Sequence, residues 1–230
     1  MKQKKESIFQ QPVPLRNGKT HEIVSGVLVF VILPIFSCLI TLVGEESALY
    51  NSLSRLAWPE GYLWLIYLWG ILNIGCFAYV LELLVRAGGY TTRYHKLFVA
   101  MEIAAALVMT AGVSIPAYHD RGQYYLTLQT IHTAISAVGF VGFYLVLLAI
   151  TGTLFFRWPR QAMVSALGNA FILIVGIYGI FTVTDPNSYC HISSIMQVLL
   201  FDLFNVSLLL HYYAISIFHA GAQSASEKSD

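Results

Sequence analysis

Charge is what this 230-residue chain has least of. Only 11% of its residues are charged against 57% hydrophobic, a balance outside the range of water-soluble globular domains. No basic run occurs beyond the N-terminal residues and the formal net charge is +1, so nothing marks a nucleic-acid partner. The three cysteines are Cys38, Cys76 and Cys190. Two of them fall inside apolar runs and no C-x-x-C occurs, which argues against both a disulfide framework and a zinc-finger spacing. Every lysine lies in a tail or at the edge of an apolar run, so a retinal Schiff base has no candidate. HExxH, HxxxH and the nucleophile elbow G-x-S-x-G are all missing.

What is present is hydrocarbon in long runs. Crossing a hydrocarbon core takes roughly 20 apolar residues, and six segments qualify: 23–43, 61–85, 97–116, 131–156, 162–183 and 194–218. Backbone groups in lipid must find partners within their own segment, which for runs this long leaves only helices. The expected fold is an all-α, polytopic bundle of six transmembrane helices (23–218) between an N-terminal tail (1–22) and a C-terminal tail (219–230). About twenty polar residues precede the first run, which argues against a cleavable leader. Eleven of the thirteen Lys and Arg fall on one side of this arrangement, with only Arg55 and Arg121 on the other. The positive-inside rule then puts both termini in the cytoplasm, as expected of a bacterial plasma-membrane protein, and three loops outside.

Along the chain, Pro34 is expected to kink the first helix. In the first outer loop Leu49, Leu53 and Leu56 share one face, a pattern for a short interfacial helix, and Trp58, Tyr62 and Trp64 form an aromatic belt. Glu82 has Arg86 four residues on as a partner. Glu102 either faces the bundle interior or reaches back to the headgroups beside Arg93 and Lys96. Asp202 and His211 are nine residues apart on one helix, half a turn in angle, so they belong to different faces. His132 lies nearer the outside and His211 nearer the inside, which does not suit the axial pair of a b-type cytochrome.

Chemistry-bearing side chains gather in the outer loops: Glu45, Glu46, Ser54, His119, Asp120, His132, Asp185, His191 and, slightly deeper, Asp202. Histidines with carboxylates in such a position are suited to zinc ligation, with His119, His132, His191 and Asp202 as the candidate ligands, or to general acid-base work by His119 and His132, oriented by Asp120 or Asp202. Gln129, His132, Ser136 and Gly139 follow at helical spacing, a polar stripe expected to line an outward pocket.

The outer loop Ser52-Leu53-Ser54-Arg55-Leu56, a third helix closing on Ser114-Ile115-Pro116 and a fourth opening on Ile131-His132-Thr133 resemble a family of six-helix bacterial membrane proteins of unknown function. That family is similar in turn to the eukaryotic group of the damage-regulated autophagy modulators, the Sfk-type proteins and the protein acting in lipid remodelling of glycosylphosphatidylinositol anchors. The resemblance points to Ser54 and His132 as the residues to follow, with Ser54 as a candidate nucleophile; Arg55 stands where that pattern leads one to expect an acidic residue. The expected function is a lipid-binding or lipid-handling membrane protein without chemistry of its own, with membrane lipids as partners. An intramembrane hydrolase or lipid-remodelling enzyme is the alternative, and a small transporter the third reading.

Overall fold

The computed structural model describes residues 8–9, 18–43, 53–58, 61–116, 123–181 and 194–226. Among them helix is the only regular structure apart from one isolated antiparallel bridge, Phe9 to Tyr90. The first span is α1 (Gly18–Val27), a π-helical turn (Leu28–Ile32) and α2 (Leu33–Leu42) in one run. There follow the short α3 (Leu53–Ala57), α4 (Leu63–Gly88), α5 (Thr92–Ser114), α6 (Gln123–Phe155), α7 (Pro159–Phe181) and α8 (Ser194–Ser226).

Five helical stretches are long and apolar enough to cross a membrane: Gly18–Leu42, Leu63–Gly88, Thr92–Ser114, Thr130–Phe155 and Ser194–Ile217. The sixth expected span falls on α7, whose apolar stretch Ala162–Tyr178 is shorter. The outward surface is correspondingly apolar, with Leu42, Leu107, Leu167 and Ile217 more than half exposed. Water would not tolerate that coat and lipid does. The chain is therefore a helical, multi-pass membrane protein.

Helix ends depart from the apolar runs because hydrophobicity marks the hydrocarbon and not the last hydrogen bond. The first helix starts at Gly18, adding a polar turn, and α8 continues to Ser226. Part of the N-terminal tail is also ordered: Ile8 accepts from the Thr91 N–H at 3.0 Å, and Phe9 packs on Tyr90 with ring centroids 4.9 Å apart and lies under the Arg157 guanidinium at 5.1 Å. Burial pushes the Tyr90 hydroxyl above its ordinary value, opposed by its bond to Thr153 and by the Arg157 charge. Tyr90 accordingly stays a phenol, 2.7 Å from Thr153 Oγ1.

Pro34 acts by widening a turn. It lacks the N–H a regular helix would use and its ring crowds the carbonyl four residues back. Leu28–Ile32 just before it are π-helical, and the Leu33 N–H donates to Leu28 O, five residues back, a π-turn of the kind that relieves such crowding. The turn after α4 closes on Gly89 at φ 66°, a left-handed C-cap suited to glycine.

At the bundle centre α4 and α8 contribute Val80, Leu84, Leu208, Leu209 and Tyr212, all 1% exposed or less. Against this pair α5 packs mainly on α6, and α7 bridges α6 and α8. The α5–α6 seam is close because it is built on small residues. A Cβ at Gly139 would stand 2.7 Å from the Met109 backbone nitrogen, and one at Gly112 would stand 2.8 Å from that of Ser136. Buried polar groups tie the remaining helices. Asn169 Nδ2 donates to Thr151 Oγ1 at 2.8 Å, Thr151 meets His211 Nε2 at 3.3 Å and Ser207 donates to Asn169 Oδ1 at 3.3 Å.

Candidate functional site

The site starts from a short helix that has no stability of its own. Five residues cannot hold an isolated helix in water, so α3 is fixed by what it touches. Leu53, Leu56 and Ala57 are buried in a cluster with Ile40, Ile66, Trp69 and Val198, so the segment expected to lie along the interface is packed into the bundle. The Leu53 N–H donates to Gln197 Oε1 of α8 at 3.2 Å. Trp58, expected as a belt residue, donates from Nε1 to Val113 O in the last turn of α5 at 3.1 Å. Trp64 is 63% exposed, as a belt residue should be.

Ser54 sits on α3, half-buried, and its Oγ lies 2.6 Å from His132 Nε2. His132 is 6% exposed, and its Nδ1 lies 3.1 Å from Ile115 O. A carbonyl only accepts, so Nδ1 carries the proton, Nε2 is the lone-pair nitrogen, and the Ser54 hydroxyl donates to it. The free carbonyl has a local cause. Pro116 disfavours the helical conformation in the residue before it, and Ile115 is extended at φ −82°, ψ 125°. α5 therefore ends there with carbonyls unpaired, one of which His132 caps and another Trp58. Tyr67 meets Ser114 Oγ at 2.7 Å, which in turn donates to Thr110 O, so three segments, carrying Trp58, Tyr67 and His132, converge on the end of α5.

Of the residues singled out in the sequence, Ser54 and His132 are brought together. Asp202 is elsewhere: its Oδ1 accepts from Ser37 at 3.0 Å, and Ser37 accepts from Trp69 Nε1 at 2.9 Å. His211 meets α6 while Asp202 meets α2, consistent with their half-turn separation. Ser136 and Gly139 do not line an open pocket; α5 covers that face from Gly112 to Met109. The helical period correctly grouped these positions, but small residues on both helices let the backbones close over them. The Gln129 side chain and all of His119, Asp120, His191, Glu45, Glu46 and Asp185 lie outside the described residues.

Zinc finds little to bind among the described residues. Both His132 ring nitrogens are engaged, Asp202 points at Ser37, and no group of three His, Cys, Asp or Glu side chains converges there. Sequence reasoning missed Ile115, whose part is played by a backbone carbonyl; the following proline was its one visible sign. It also missed Gln197, which nothing in the sequence pattern distinguished. Comparison with protein-family models, with curated proteins and with solved structures gives no match.

Proposed function

We propose that this membrane protein is a lipid-directed acyl hydrolase or acyltransferase in which Ser54 is the nucleophile and His132 its base. The observation that carries the reading is the 2.6 Å approach of Ser54 Oγ to His132 Nε2, with Nδ1 turned to Ile115 O. An activated nucleophile needs a hydrogen-bonded base that is itself oriented by a third group, and here a backbone carbonyl supplies the orientation. Attack of Oγ on an acyl carbonyl passes the serine proton to Nε2. The imidazolium so formed keeps its Nδ1–H on Ile115 O and returns the other proton to the leaving alkoxide. Water or a second alcohol then takes the acyl group by the reverse steps. Lipid is the substrate class because His132 lies two residues inside the apolar stretch that begins at Thr130, at the depth of the hydrocarbon boundary. The Lys and Arg distribution directs this end away from the cytoplasm.

The test is labelling with a long-chain fluorophosphonate probe in vesicles. The wild type is expected to be labelled at Ser54, Ser54→Ala not at all, and His132→Ala on the order of 10²-fold more slowly. A folded wild type that takes up no probe sinks the proposal. It would favour the second reading, a lipid-handling protein without chemistry in which the part-buried Ser54–His132 bond only fastens α3 to α6. A metal-dependent form would need His119 and His191 to join His132, with Nε2 taken from Ser54. About one zinc per purified chain, lost in His132→Ala, would support that form.

A further inference from the structure

The α5–α6 seam holds a carboxyl group that nothing among the described residues neutralises. Glu102 is 4% exposed and stands about 15 Å along α5 from Thr92, near mid-helix. The buried positions of α5 are Phe98, Glu102, Ala105 and Gly112, one stripe at helical spacing. That stripe faces α6, where Gly112 meets Ser136 and Ala105 meets Gly142. Carried one turn further, the antiparallel register brings Glu102 to the level of the fully buried Val146. The side chain thus faces the interior, the first of the two placements open to it in the sequence. Among the described residues no hydrogen bond or ion pair engages it.

Among the described residues the surroundings offer no counter-charge. Between His132 and Phe155, α6 has no Asp, Glu, Lys, Arg or further His, and its Tyr144 hydroxyl donates to Asn169 O. On α4, Glu82 is held by Arg86 and His95, Tyr79 by His21, and Cys76 is a buried thiol. On α5 itself Arg93 and Lys96 are exposed at the helix start. A carboxylate in hydrocarbon without a cation or donors is strongly disfavoured relative to the neutral acid.

We propose that Glu102 is an intramembrane proton-binding site, a carboxylic acid that keeps its proton while the α5–α6 seam is closed and ionises only when the seam parts. The seam continues through Ala105 on Gly142, Met109 on Gly139 and Gly112 on Ser136 to the Ile115 carbonyl that holds His132. Release of the proton is thereby coupled to the geometry at the far end of α5. The site stands whether or not Ser54 is a nucleophile.

The experiment is infrared difference spectroscopy of the full chain in vesicles, wild type against Glu102→Gln, at about pH 8, well above the ordinary carboxyl range. Glutamine preserves the shape and the neutrality of the acid. The wild type is expected to show a carboxylic-acid C=O stretch that the variant lacks. A carboxylate band in its place would overturn the proposal. Should Glu102→Gln not fold, ¹³C-glutamate in the wild type asks the same question: an isotope-shifted acid band at that pH supports the site, and its absence overturns it.

Discussion

Gly139 and Gly152 lie on one helix and differ in what a methyl group would meet. At Gly139 it would press on the Met109 backbone, 2.7 Å away, whereas at Gly152 nothing lies within 4 Å. Backbone cannot rotate aside as a side chain can, so Gly139→Ala must separate α5 from α6. The expected cost is about 1–3 kcal/mol, while Gly152→Ala should be neutral or stabilising by up to about 1 kcal/mol from helix propensity. Thermal unfolding of the two variants in one detergent checks this; equal midpoints would refute the close seam. At this scale Ser54 and His132 were legible from short motifs, because a polar residue beside an apolar run is conspicuous. Ile115 was not, because its contribution is a main-chain atom that any side chain could carry.

The element that matters most is also the smallest. α3 is held at Ser54 by the dyad, at Leu53 by Gln197 and at Trp58 by Val113 O. Trp58→Phe keeps an aromatic ring and deletes the donor, at an expected cost of about 0.5–1.5 kcal/mol. Val113 and Ile115 are two residues apart on α5, so the loss should act on the dyad more than on the bundle. Fluorophosphonate labelling of Ser54 is expected to slow several-fold with little change in unfolding midpoint. Unchanged labelling would show that the buried leucines and the Leu53–Gln197 bond place the helix without Trp58. The apolar period exposed the helical nature of α3, with Leu53 and Leu56 on one face, but an amphipathic turn reads the same whether lipid or protein covers it.

For the whole molecule, the chain alternates between two ends: α1, α5 and α7 begin at one, α4, α6 and α8 at the other. In a background without Cys38, Cys76 and Cys190, Lys19→Cys and Arg160→Cys should react with an impermeant maleimide from one side of the membrane and Trp64→Cys from the other. All three native residues are exposed. Reaction of Lys19→Cys and Arg160→Cys from opposite sides would mean that the chain does not cross an even number of times between them. Buried networks such as Thr151–Asn169–Ser207–His211 act at this scale too. They join α6, α7 and α8 where lipid gives no hydrophobic drive to association.

Local composition was enough to establish the solvent, the helical secondary structure and the approximate ends of the spans. Those follow from local composition, from the refusal of hydrocarbon to solvate a bare peptide group, and from prolines and glycines at helix ends. The hydrogen bond between Ser54 and His132, 78 positions apart, the commitment of Asp202 to Ser37 and the turn of Glu102 into the seam came instead from the packing of the helices. Each of these depends on how helices are rotated and set in depth against one another, and in lipid that is fixed by small residues and polar pairs spread across distant segments, which no local pattern records.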